Sequence, residues 1–188
     1  MPLTLEEPAT LPLPGLPTIP EGRRPWKFCL NTSTIRGQKL PLDQVVEIAA
    51  AAGYDAIEPW IDELEAYEAS GGDLTVLREK IHDLGLTVES AIGFFEWVVD
   101  DDARRLAGLE RARADMELLK RLGGKRIAAP PFGAHEAGSP PLDLRVAAEH
   151  YATLCDIGER AGVTPLCEVW GFSANLNTLA EGLFVASH

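Results

Sequence analysis

The sequence predicts an α/β fold on a parallel sheet, a βα partial barrel carrying about five of the eight units of a closed one. Three observations predict it. A helix-ending glycine runs straight into a short apolar segment four times, at Gly53, Gly85, Gly123 and Gly162. Glycine accepts the left-handed cap that ends a helix, so each is read as the turn from helix into strand. The four are spaced by 32, 38 and 39 residues, the length of a strand plus its crossover helix. The chain has 188 residues, against about 250 for a typical eight-stranded barrel.

Each element has its own signal. Residues 1–25 hold seven of the fourteen prolines, which remove amide donors and fix φ, so a flexible tail is expected before a barrel domain at 26–188. Lys27–Ile35 reads as the first strand. Leu42, Val45, Val46, Ala49 and Ala52 make one face of the first helix. Strands follow near 55–59, 86–92, 125–130 and 165–170, in sequential order with a helix after each on one outer side. Leu74, Leu77, Ile81 and Leu84 mark a helix around 73–84. Asp100-Asp101-Asp102 offers a cap before a long helix with the stripe Leu106, Leu109, Ala112, Met116 and Leu119. Pro140-Pro141-Leu142-Asp143 opens another, and Asn175–Ala186 begins a fifth.

Composition narrows the function classes. A net charge of −12 speaks against nucleic acid, whose binding rests on Lys and Arg neutralising phosphates. Cys29, Cys155 and Cys167 lack metal-type spacing and are expected as reduced thiols of a cytoplasmic protein. No run approaches the roughly 18 apolar residues of a membrane span, and no basic leader precedes an apolar run. An incomplete barrel would expose its sheet edges, so self-association is expected.

In a parallel βα sheet, ligands bind at the C-terminal strand ends. Those ends gather Trp60, Phe94, Phe95, Trp97, Phe132, Trp170 and Phe172, which suits either a concave pocket or plain packing at the mouth. Glu58, Glu89 and Glu168 interrupt otherwise apolar strands. Alternation groups Glu168 with Leu166 and Trp170, and a carboxylate there needs a cation. That cation is Mg²⁺ or Mn²⁺, or else Lys125 or Arg126 on the neighbouring strand. Glu58 is placed to hydrogen-bond a substrate hydroxyl or to pair with an ion, and Glu89 reads as structural. His135 lies in a loop on the same face. The expected substrate contacts are Glu58, Trp60, Phe94, Trp97, His135 and Trp170, with Glu168 as catalytic residue and metal ligand. No Gly-rich phosphate loop and no Gly-x-Ser-x-Gly elbow is present.

At these residues the chain resembles the xylose isomerase-like TIM barrel family of sugar phosphate isomerases and epimerases. The likeness lies in Leu30-Asn-Thr-Ser-Thr-Ile35, Gly53-Tyr-Asp-Ala-Ile-Glu58, Gly93-Phe-Phe-Glu-Trp97, Gly124-Lys-Arg-Ile-Ala-Ala-Pro-Pro131 and Leu166-Cys-Glu-Val-Trp-Gly-Phe172. The resemblance implies a divalent metal held by glutamate, aspartate, histidine and glutamate on the fifth to eighth strands. The first maps onto Glu168, and the other three would fall after residue 188. It implies proton transfer through an enediolate on a small sugar or sugar-phosphate substrate, with the metal polarising the oxygens. One ligand of four implies weak metal binding and no turnover by this chain alone. A non-catalytic or split-barrel sugar-binding module is the alternative, and an inosose-type dehydratase on the same barrel a further one. Related apurinic endonucleases use histidines on early strands, which this chain lacks.

Overall fold

A computed structural model describes residues 26–188, so the expected tail at 1–25 lies outside the described residues. The strands are short: β1 (Cys29–Asn31), β2 (Ala56–Glu58), β3 (Thr87–Val88), β4 (Ala91–Ile92), β5 (Arg126–Ala129) and β6 (Thr164–Cys167). All pair in parallel, as two three-stranded sheets ordered β1-β2-β3 and β4-β5-β6. A single parallel bridge, Trp60 to Ile92, joins them. The expected sequential order holds. The continuous third strand at 86–92 does not: after the Glu89 amide donates to the Ile57 carbonyl at 3.2 Å, the chain leaves the first sheet and joins the second at Ala91. The first strand is also shorter than Lys27–Ile35, since Thr32–Gln38 winds into a 3₁₀ helix capped by the Asn31 side chain.

The crossover helices are α1 (Leu42–Ala51), α2 (Ile61–Ala69), α3 (Leu74–Asp83), α4 (Asp102–Leu122), α5 (Leu144–Ala161) and α6 (Leu179–Ser187). The four repeat glycines all have positive φ, between 75° and 96°, as the helix-to-strand turn requires. Asp101 caps α4, accepting from the Arg104 amide at 2.9 Å, and Asp143 caps α5. Helix α2 was not expected. It starts on Trp60, whose amide donates to the Glu63 carboxylate at 3.0 Å, the reach-back half of a capping box.

The core lies between sheet and helices, with Leu30, Ile57, Leu64, Leu77, Met116, Leu119, Ile127 and Leu154 fully enclosed. Leu106 departs from its expected stripe and is 64% exposed, because the buried face of α4 runs instead through Gly108, Ala112, Asp115, Leu119 and Leu122. A Cβ on Gly108 would lie 2.5 Å from the Glu96 carbonyl oxygen and 2.7 Å from its nitrogen. Gly108→Ala should therefore destabilise by about 1–3 kcal/mol, although alanine is the better helix former. A thermal melt at or above that of the unmodified chain would refute the close approach.

One ionisable group is buried in this layer. Asp115 of α4 is 2% exposed, and its Oδ1 accepts from Arg111 at 2.7 Å while Oδ2 has no hydrogen-bond partner. Arg111 in turn reaches Glu65 of α2 at 2.8 Å. Among the described residues no helix is long and apolar enough to cross a membrane. Leu166 of β6, Phe172, Leu179 and Leu183 are large apolar side chains left open to solvent.

Candidate active site

Parallel register sets Asn31 directly beside Glu58 at the C-terminal ends of β1 and β2. Asn31 Oδ1 accepts from the Ser33 amide at 3.1 Å, the Ser33 hydroxyl at 2.7 Å and Trp60 Nε1 at 3.1 Å. Three donors converging on one atom identify it as the amide oxygen, so the NH₂ faces Glu58, donating to Oε2 at 2.7 Å. The other Glu58 oxygen accepts from the Ser90 hydroxyl. Ser90 reaches it from the two-residue gap between β3 and β4. The break in the third strand therefore supplies a donor to the site.

Glu168 follows β6 and extends the ladder by one bond, its amide donating to the Ala129 carbonyl at 3.1 Å. Its Oε2 is buried with no hydrogen-bond partner. Burial raises its pKa, a hydrogen bond with Trp170 opposes the rise, and the charge of Glu58 adds to it. The ion-pair alternative with Arg126 is not realised, because Arg126 bonds the Glu89 carbonyl at 3.1 Å and carboxylate at 2.5 Å. Glu89 is a structural ion pair.

Around the carboxylates the rings form one connected cluster. Phe94 is its centre, with centroids 5.1 Å from Trp60, 5.5 Å from Phe132 and 6.1 Å from Trp170. His135 stacks on Phe132 at 5.4 Å and meets Trp170 edge-on at 5.3 Å. Its Nδ1 accepts from the Gly133 amide at 3.2 Å, which assigns the ring hydrogen to Nε2. The Arg36 guanidinium lies 4.2 Å over the Trp60 ring while bridging to Asp62 at 3.0 Å. Trp60 is thus held by its face, its indole N–H and its backbone amide.

Of the residues expected at the site, Glu58, Trp60, Phe94, His135, Glu168 and Trp170 come together at the mouth. Trp97 does not. It is fully buried, its Nε1 donates to the Pro130 carbonyl at 2.7 Å, and its ring packs on Tyr151. Placing it among substrate contacts is corrected: it is a core residue, turned inward by that hydrogen bond. Asn31, Ser90 and Arg36 were missed as partners. The polar residues at the end of the first strand were the available signal for Asn31, whereas Ser90 depends on a strand break that periodicity does not report.

The mouth offers part of a divalent-metal donor set. Glu168 Oε2, buried and unpartnered, fits one ligand position. Among the described residues, however, no group of three or more His, Cys, Asp or Glu side chains could hold an ion, and Mg²⁺ or Mn²⁺ takes about six ligands. These residues by themselves do not make a metal centre.

A parallel βα sheet with carboxylates and aromatic rings gathered at its strand ends defines a TIM-barrel-type protein. The chain belongs to the xylose isomerase-like TIM barrel family, whose model matches residues 46–187. No curated protein sequence matches it. Among solved structures it is similar to D-psicose 3-epimerase from Clostridium cellulolyticum H10, at TM-score 0.68 and 18% identity, covering 87% of this chain and 61% of that one. It is similar also to an L-ribulose 3-epimerase, at 0.68 and 23%, covering 85% and 56%. A third is the IOLI protein with a bound zinc atom, at 0.61 and 23%, covering 76% and 51%. The chain spans about half to three fifths of the length of these three neighbours.

Proposed function

We propose that the mouth binds a small sugar and supports isomerase- or epimerase-type proton transfer. The observation that carries this reading is Glu168 Oε2, buried and unpartnered beside the Glu58 charge and under a connected aromatic wall. Sugar C–H faces stack on Trp60, Phe94 and Trp170, while Glu58 uses its remaining lone pairs for a hydroxyl. Glu168 then takes the proton from the hydroxyl-bearing carbon next to the carbonyl, leaving an enediolate, and returns it to the former carbonyl carbon. The hydroxyl proton passes to the former carbonyl oxygen, so that carbonyl and hydroxyl exchange places. Burial favours its neutral form, which makes the carboxylate a stronger base when it is ionised. A sugar phosphate fits less well than a free sugar, because Arg36, which lies over the Trp60 ring, already bridges Asp62 and Glu63.

A sugar-binding module without catalysis is the second reading, favoured by the absence of a metal-holding group among the described residues. One experiment separates the two. The chain is titrated with D-fructose while the indole N–H signals are followed by NMR, then incubated with D-fructose in deuterated water. Shifts at Trp60 and Trp170 but not Trp97, with deuterium entering next to the carbonyl and lost in Glu168→Gln, support the enzyme. The same shifts without exchange leave the binding module. Absence of any shift overturns both.

A further inference from the structure

We propose that the groove beside the mouth, between Glu96–Arg104 and the loop at 132–140, is a second sugar subsite, so that the molecule bound is a neutral glycoside or disaccharide. The inference rests on the mouth being a sugar site and adds what lies next to it. The groove has a volume of about 450 Å³, within the roughly 300–1,000 Å³ of ligand pockets. It is continuous with the mouth, because Phe132 and His135 line both. A molecule seated on Phe94 and Trp170 that extends past His135 enters it.

The lining sets the ligand class. One wall is the Phe132 ring with His135 stacked on it, a surface that takes the C–H face of a pyranose. Facing it, Arg104 holds the Glu96 carboxylate through two bonds of 2.9 and 2.6 Å. Acceptor and donor thus stand side by side, as a pair of vicinal hydroxyls requires. Among the described residues Arg104 is the one Lys or Arg lining the groove, its charge is offset by Glu96 while its remaining N–H groups stay open to a hydroxyl, and Glu136 also lines the groove. A phosphate or carboxylate substituent would meet an acidic surface, whereas a neutral sugar meets none of that repulsion. The space itself depends on a glycine. A Cβ on Gly133 would come within 2.8 Å of Glu96 Oε1 and 2.9 Å of Val99 Cγ1, and its φ of +84° suits glycine.

The test compares D-fructose, its glucosylated form maltulose and D-fructose 6-phosphate, each titrated into the full chain by calorimetry. Maltulose should bind at least tenfold more tightly than D-fructose, and D-fructose 6-phosphate no more tightly than D-fructose. Arg104→Ala, at an exposed side chain, and Ser139→Phe, which fills the groove, should each remove the maltulose advantage while leaving D-fructose affinity unchanged. Equal affinities for D-fructose and maltulose overturn the subsite and leave the mouth reading standing. An advantage that survives both variants does the same, and tighter binding of the phosphate makes the groove an anion site. Failure of every sugar to bind overturns the mouth reading and the subsite with it.

Discussion

Trp97→Ala should destabilise the fold by about 3–5 kcal/mol, the range for truncating a fully buried large aromatic. The side chain is 0% exposed and ties together segments far apart in sequence. Its indole N–H holds the Pro130 carbonyl at the end of β5. Its ring lies 5.4 Å from Tyr151 of α5, whose hydroxyl donates to the Pro165 carbonyl at 2.8 Å and accepts from the Cys167 amide at 3.1 Å. Truncation therefore opens a cavity and removes one of two donors to the Pro130 carbonyl, which keeps the Phe132 amide at 2.7 Å. Trp97→Phe keeps most of the volume and loses the hydrogen bond, so its cost should fall to about 1–3 kcal/mol. Trp60→Ala, at the half-buried mouth, should cost less than Trp97→Ala. Urea denaturation of the three variants checks the order; a Trp97→Ala cost below that of Trp60→Ala would mean the ring is not a core element.

The second large effect is a pH dependence set by Asp115. Burial pushes its pKa up to about 7 from 3.8, the Arg111 guanidinium pulls it down, and Glu65 adds to the rise. The folded state thus holds a proton that the unfolded chain releases at lower pH. Its contribution to stability is fully present below about pH 4 and is lost as pH rises through 7. The swing is on the order of 4 kcal/mol, at about 1.4 kcal/mol per pKa unit. Asp115→Asn removes this titration, because the amide is neutral throughout. The difference in unfolding free energy between variant and unmodified chain should shift in favour of the variant between pH 4 and 8. A difference that is flat with pH would show that Asp115 is charged and adequately paired at all of them.

The periodic parts of this molecule were readable from the residues, and the cooperative parts were not. Gly53, Gly85, Gly123 and Gly162 announced the units because the left-handed turn is a local requirement that few other residues meet. Caps such as Asp101 and Asp143 are local too. The aromatic ring cluster was visible only as a list of residues near strand ends. Which rings meet depends on register and rotamer, and Trp97 differs from Trp60 only through partners distant in sequence. Asp115 escaped notice because a charge on a long surface-type helix reads as solvated until the neighbouring helix is placed. Glu58 itself was expected at the site, but its partners Asn31 and Ser90, 27 and 32 residues away, were not.

The joint between the two sheets has a thermodynamic meaning beyond its geometry. Asn31, Glu58 and Trp60 belong to the first block, and Phe94, Phe132, His135, Glu168 and Trp170 to the second. On the strand side the blocks meet through the Trp60–Ile92 bridge and the Ser90–Glu58 bond, and on the helix side through Arg111–Glu65 and Arg121–Glu68. The Trp60–Phe94 ring contact, the bond from the Ile92 amide to the Pro59 carbonyl at 3.0 Å and one hydrophobic core also run between them, so the boundary between the blocks lies inside a single cooperative unit. A ligand that touches Trp60 and Trp170 at once bridges that boundary. Its binding free energy is then drawn by mass action into the stability of the whole unit, so occupancy and global unfolding are linked quantities.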